Sequence, residues 1–343
     1  MSPAKTFVIH MPSEVTAAAE KALMDSFGEA SRQNARDVAL DFGKAALLDV
    51  GGASLLVRLS VEARKRRQNL KAVGLGEHYR QIFKLTGLNK VIHADESSVD
   101  AVTGAIQPMD VAQWAKPVSR LEVRDMPAGA TNVNVEGRRV LGPLEGFGPM
   151  WHKTYQVRLG TDITPIHVIR ILKERFPEFQ PPENRFYASK DGVKPGAVLL
   201  INASTPAGPM CTGVMVLHAD DKSFDLITPQ GHPLAGWVSF SSYQDEGITV
   251  AQVQGLARSS DPLYELGFRI AGSKKQENIW KYVLASLAQH LGLEPHVEMH
   301  KTCIDPRFQW FKATNAWYNA QVRTTVYTIV AAPGRWLRRL IKR

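Results

Sequence analysis

Residues 41–60, "DFGKAALLDVGGASLLVRLS", read as the end of a buried strand, a turn and the start of a helix, with a lone aspartate, Asp49, at the junction. A carboxylate at that place is favoured by the unpaired backbone donors of a helix start. Contact with a partner is the other role open to it.

Outward from this junction the chain alternates between strand and helix. "KTFVIHM" (5–11) and "DVALDF" (37–42) are short apolar strands, and Ser13 is placed to cap a helix in which Ala19, Leu23 and Phe27 recur every four residues. After the junction, Leu55, Leu59 and Ala63 share one helix face, and Arg64, Lys65, Arg66 and Arg67 gather at its negative end. "NLKAVGL", the helix "EHYRQIFKLTG" closed by Gly87, the strand "KVIHA" and a helix at 97–106 continue the pattern. Such alternation predicts a parallel sheet with helices packed on it.

From 108 to 150 the periodicity is broken by Pro and Gly, as in a connector. The glycines of "GPLEGFG" neither follow a strong strand nor open a periodic helix, so a nucleotide loop is not expected. Beyond it, "HKTYQVRL" reads as a strand, and Thr164 and Pro165 open the helix "PIHVIRILKERF". Five extended runs follow between 196 and 257, separated by short turns, and then a long helix with Ile279, Val283, Leu287 and Leu291 at four-residue spacing. The expected organisation is α/β plus α+β. A sheet-and-helix domain spans 1–107, a linker 108–150, a curved antiparallel sheet around a long helix 151–310, and a basic aromatic tail 311–343.

The 343 residues carry a formal net charge of +9, and residues 323–343 supply Arg323, Arg335, Arg338, Arg339, Lys342 and Arg343 without an acid. The cations elsewhere sit at element ends with no reader motif, so nucleic acid is not an expected partner. The start lacks a basic segment followed by a long apolar run, and no apolar stretch is long enough to span a bilayer, which predicts a cytoplasmic protein. Cys211 and Cys303 form no metal-ligand spacing and read as core residues.

The first part, through "VALDFGKAALLDVGGASLLVRLS" and "KLTGLNKVIHADESSVDA", resembles the STAS domain family of sulfate transporters and anti-sigma factor antagonists. In that family the turn after the second core strand commonly reads Asp-Ser-Ser-Gly or Asp-Ser-Thr-Gly, and in the antagonists the first hydroxyl is phosphorylated. Here Asp49 and Gly52 match, while Val50 and Gly51 replace the hydroxyl residues. The resemblance therefore implies the fold and a protein-docking face at Asp49, Gly52 and Ser54, without a phosphorylation switch. The second part, through "GFGPMWHKTYQVRL", "TPQGHPLAGWVSFS" and "ARSSDPLYELGFRIAG", resembles the START/SRPBCC helix-grip superfamily. That resemblance implies a cavity for a hydrophobic molecule; some members catalyse cyclisation or hydration there.

Candidate cavity residues are Asn202, Thr212, Trp237, Gln252 and Gln254, with His232 in "GHPLAGW" as a ligand contact, an acid or base, or a fastener of its turn. Strand alternation puts Gln252 and Gln254 on one face and Ala251 and Val253 on the other without saying which face is inside. Asp261 before Pro262 is a helix cap. His296, Glu298 and His300 would share a strand face, but about 6 to 7 Å apart, too wide for one metal ion without a bend. In the tail, Trp336, Leu337, Leu340 and Ile341 would line one side of a short helix among Arg338, Arg339 and other cations, a pattern suited to a membrane interface or to packing on protein.

The resulting expectation is a non-catalytic regulatory or carrier protein without cofactor or metal. It binds an apolar molecule or lipid and a protein partner, and sits peripherally at an anionic inner membrane face. An enzyme acting on a polyketide or isoprenoid-like substrate in the same cavity, and a ligand-free scaffold whose cavity is filled by its own Trp and Phe side chains, are the alternatives.

Overall fold

The computed structural model describes residues 6–95 and 108–331. The helix expected at 97–106 and the tail positions Trp336, Leu337, Arg338, Arg339, Leu340 and Ile341 lie outside the described residues. The chain divides into two compact units, residues 1–118 with 142–144, and residues 119–141 with 145–343. Of the segment expected as a linker, 108–118 folds with the first unit and 119–141 with the second.

The first unit contains β1 (Thr6–His10), β2 (Glu14–Val15), α1 (Glu20–Arg32), β3 (Asp37–Asp41), β4 (Leu47–Leu48), α2 (Val50–Lys65), β5 (Asn69–Val73), α3 (Glu77–Thr86) and β6 (Ile92–Ala94). Strands β1, β3, β5 and β6 form a parallel sheet in that order, with Val8 opposite Ala39 and Leu70 opposite Ile92. Its core is Val38, Leu40 and Ala72 of the strands against Phe27 of α1 and Leu55, Leu56 and Leu59 of α2. Gly87 closes α3 in the left-handed conformation, with φ 78°.

Ser13 does not cap α1. A separate parallel pair, β2 with β4, intervenes, and the Ser13 carbonyl accepts from Ala46 N (2.7 Å) and Leu47 N (3.0 Å) instead. The aspartate of the opening segment is a cap: Gly52 N donates to Asp49 Oδ1 at 2.7 Å. Gly52 answers a different demand. A Cβ there would lie 2.0 Å from the Val15 carbonyl oxygen, so the β2–β4 pair presses on the helix start where only glycine fits.

The beginning of the expected linker is held by a buried carboxylate. Asp110 accepts from Leu48 N at 3.1 Å and Trp114 Nε1 at 3.3 Å, and its other oxygen meets His78 Nε2 at 2.9 Å.

The second unit contains β7 (Val140–Leu141), β8 (Met150–Arg158), α4 (Pro165–Arg175), β9 (Asn184–Tyr187), β10 (Val198–Thr205), β11 (Gly208–Ala219), β12 (Ser223–Pro229), β13 (Leu234–Asp245), β14 (Ile248–Ser259), α5 (Pro262–Gly267), α6 (Ser273–His290), β15 (Val297–Asp305) and α7 (Ala320–Val330). The sheet is antiparallel in the order β15-β8-β14-β13-β12-β11-β10-β9, with β7 paired to β12, and it curves over α4 and α6. Thr164 caps α4 from its side chain and Pro165 occupies the first turn. At Gly236, φ 151°, a Cβ would meet the Leu256 carbonyl oxygen at 2.2 Å, so β13 and β14 approach there as only glycine permits. Helix α7 packs on β11, and Asn134 fastens both to the 119–141 segment, donating to Cys211 O (2.8 Å) and Thr324 Oγ1 (3.0 Å). Cys211 is buried as expected of a core residue, whereas Cys303 on the edge strand β15 is exposed.

Candidate ligand cavity

The inner face of the large sheet is filled unevenly. Near α4, Phe176 meets Phe186, Phe224 and Phe240 edge-on, and Phe224 stacks on Phe240 at 4.7 Å. Toward α5 and α7 this packing stops and leaves a chamber of about 620 Å³, walled mainly by apolar side chains such as Ile201, Val214, Leu226, Trp237 and Trp280. Trp237 and Trp280, which the scaffold alternative needs as filling, stand in the wall and leave the chamber open.

Three of the six expected cavity residues line this chamber: Thr212, His232 and Trp237. The Thr212 hydroxyl is buried and has no hydrogen-bond partner among the described residues, which makes it a polar anchor in an apolar wall. Asn202, Gln252 and Gln254 are not on the lining. Asn202 Nδ2 donates to Gly129 O at 3.0 Å, and Gln252 accepts from Gln156 Nε2 at 2.8 Å. Their neighbours Ile201, Ala251 and Val253 are the buried ones, so alternation turns the amides to the opposite face.

A second, more polar cavity of about 360 Å³ adjoins the chamber. Lys153 and Tyr155 of β8, Lys301 of β15, Glu277 of α6, Arg258 and Glu265 line it. Lys153 Nζ donates to Gln276 Oε1 (3.2 Å) and Glu277 Oε1 (3.1 Å). Burial lowers the Lys153 ammonium below the usual lysine range, although Glu277 opposes the shift by hydrogen bond and charge. Arg258 has no exposed side-chain surface and pairs with Asp305 at 3.3 Å. Burial would raise the Asp305 carboxyl, but hydrogen bonds from Arg307 and the charges of Arg258 and Arg307 hold it below the ordinary range. Lys153, Arg258, Glu277 and Lys301 were missed in the sequence. The signal was Lys153 at the inward step of Trp151, Lys153, Tyr155 and Val157, a cation on an otherwise aromatic and apolar strand face.

His232 is a poor acid–base candidate. Leu234 N donates to its Nδ1 at 3.1 Å, and burial lowers its pKa to about 4, so the ring is neutral at physiological pH with Nδ1 engaged in its own turn. Asp261 caps α5, accepting from Tyr264 N at 3.0 Å. Tyr264 Oη accepts from Gln321 N at 2.9 Å, tying α5 to α7. Among the described residues no cluster of His, Cys, Asp or Glu is arranged for a metal ion, and His296, Glu298 and His300 stand exposed along the edge of the sheet.

In the first unit, Gly52 is buried, and Asp49 and Ser54 are half-buried. The Asp49 carboxylate is used in capping, so the face it offers is shaped by helix α2 more than by a protruding charge.

Residues 2–93 match the STAS_2 family model, described as "Mlab, STAS domain". The first unit is STAS-like. The match runs from β1 into β6 of the parallel sheet and includes Asp49 and Gly52. No curated protein matches the chain. The second unit is similar to START/SRPBCC-like structures. A START superfamily protein from Mycobacterium smegmatis is 17% identical, covers 42% of this chain and 98% of its own, and has a TM-score of 0.31. The KanY protein is 12% identical over 40% of this chain and 95% of its own, TM-score 0.34. Ara h 8.0201 is 14% identical over 41% and 97%, TM-score 0.31.

Proposed function

We propose that the second unit binds an apolar, lipid-like molecule in its chamber and that the STAS domain offers a docking face to a protein partner, making a non-catalytic regulatory or carrier protein. The observation that carries this reading is the chamber itself. Its volume, about 620 Å³, falls in the range of small-molecule sites, and its apolar wall carries few polar anchors, Thr212 among them. The neutral, engaged His232 weighs against acid–base chemistry inside it.

A place at an anionic membrane face is supported by the surface around α7. Trp310, Phe311 and Trp317 are 73%, 71% and 82% exposed. Residues 306–343 contain eight Lys and Arg and no acid. Leu263 and Ile270, which line the chamber, are also exposed, so the chamber reaches the surface through apolar side chains. Among the described residues no helix is long and apolar enough to cross a membrane.

The test is native mass spectrometry of protein purified from its own host, followed by organic extraction. A stoichiometric apolar molecule, lost in Trp237→Ala and kept in Gln252→Ala, is the expected result. Protein that is empty and also takes up no fluorescent lipid would defeat the reading and leave the scaffold.

A further inference from the structure

The polar cavity beside the chamber carries chemistry that a purely apolar ligand would leave unused. Lys153 and Lys301 face each other directly across the β8–β15 pair, an arrangement of like charges that destabilises a sheet unless an anion lies between them. Both reach the same Glu277 Oε1, at 3.1 and 3.5 Å, so two ammonium groups share one carboxylate. The other cations of the lining are matched by acids: Arg269 pairs with Glu265 at 2.9 Å, and Arg258 with Asp305 at 3.3 Å. Arg307, which also reaches Asp305, is half exposed and off the lining. Asp305 is likewise off the lining and is shared by Arg258 and Arg307, so the lining holds four cations against two carboxylates and keeps a positive surplus around Lys153 and Lys301.

A second observation points to the same place. Tyr155 lines this cavity wholly buried, and its hydroxyl has no hydrogen-bond partner among the described residues. A buried O–H donor beside surplus ammonium charge is a receptor for an anionic oxygen. The two cavities also share Leu234, Gly255, Ala257, Phe268, Gln276 and Trp280 as lining, so one molecule can occupy both.

We infer that the polar cavity holds the head group of an amphiphile with negative charge on oxygen, a carboxylate or a phosphodiester, whose apolar body fills the chamber. Lys153, Lys301 and Tyr155 are its donors. The inference rests on the ligand-binding reading above and names the ligand class for it.

Tryptophan fluorescence of the full chain tests it, since Trp237 and Trp280 line the chamber. Three probes share one oleoyl chain: oleate, lysophosphatidylglycerol and the uncharged methyl oleate. At least one anion is expected to bind about tenfold or more tightly than the ester, a difference of about 1.4 kcal/mol, and the tighter anion identifies the head group. Lys153→Gln and Lys301→Gln are expected to bring the anion toward the ester's affinity and leave the ester unchanged. Because Lys153 is buried, Lys301→Gln, at a side chain 53% exposed, carries the test if the other variant melts early. An ester that binds as tightly as both anions, or variants that weaken all probes alike, would overturn the head-group site while the chamber stands. Failure of all three probes to bind would remove the chamber reading as well.

Discussion

Asn319 Nδ2 donates to Asp261 Oδ2 at 3.0 Å, which joins the caps of two helices in one buried hydrogen bond. Asp261 Oδ1 accepts from Tyr264 N at the start of α5, and Asn319 Oδ1 accepts from Val322 N, at 3.1 Å, at the start of α7. Residues of both helices line the chamber, so this pair sets the edge of its wall. Burial raises the Asp261 carboxyl above the usual range, against the hydrogen bonds it accepts. Asp261→Ala removes a cap worth about 1 kcal/mol and strands a buried amide donor at a cost of about 1–3 kcal/mol. Urea denaturation is expected to show a loss of about 2–4 kcal/mol; a loss below about 0.5 kcal/mol, the scale of a surface substitution, would mean the caps are independent of the fold.

At the other end of the chain, Asp49 and Gly52 are adjacent in space but serve unlike needs. Asp49→Ala loses one N-cap and is expected to cost about 1 kcal/mol. Gly52→Ala drives a Cβ into the Val15 backbone, which cannot yield as a flexible side chain would, and is expected to cost about 3 kcal/mol, the upper range of overpacking. Denaturation of the full chain followed by hydrogen exchange in β2 and α2 separates the two. If Asp49→Ala proved the costlier, the β2–β4 contact would not be what selects glycine.

The parallel sheet of the STAS-like unit was legible because each strand is an apolar run and each helix an amphipathic one, with Asp49 and Gly87 marking a start and an end. The antiparallel meander was legible from its turns. Alternation sorted Gln252 and Gln254 from Ala251 and Val253 but not inside from outside, which depends on where α4 and α6 pack. The polar cavity was hidden for another reason: Lys153 meets Glu277 across 124 positions of chain, and no local pattern records that pairing. Ser13 looked like a cap because the short β2–β4 pair between it and α1 has no periodicity to betray it.

His232 makes stability depend on pH. Its pKa is about 4 in the fold, lowered by burial, against about 6.5 unfolded. Between these values the unfolded chain binds more protons, so stability is full above about pH 6.5 and is lost as pH falls toward 4. Lowering pH from about 7 to about 4.5 is expected to remove about 2–3 kcal/mol through this residue. His232→Asn keeps an acceptor for Leu234 N and cannot titrate, so urea denaturation at the two pH values should show that much less loss in the variant. Equal losses in both proteins would place the titration elsewhere.

Trp310, Phe311 and Trp317 expose large aromatic surface beside an acid-free, cation-rich stretch, and the two features act on a bilayer in different ways. The rings enter the interface, and burying one large side chain contributes about 1.5–3 kcal/mol. The cations contribute about 1 kcal/mol each near an anionic leaflet. Replacing Trp310, Phe311 and Trp317 together by alanine is therefore expected to weaken sedimentation with phosphatidylglycerol-rich vesicles by more than about tenfold. Raising ionic strength from about 0.1 M to about 1 M, which shortens the Debye length from about 10 Å to about 3 Å, should weaken binding of the unaltered protein as well. If the triple variant binds these vesicles as the unaltered protein does, the aromatic face is a protein-packing surface and the chamber must exchange its ligand by another route.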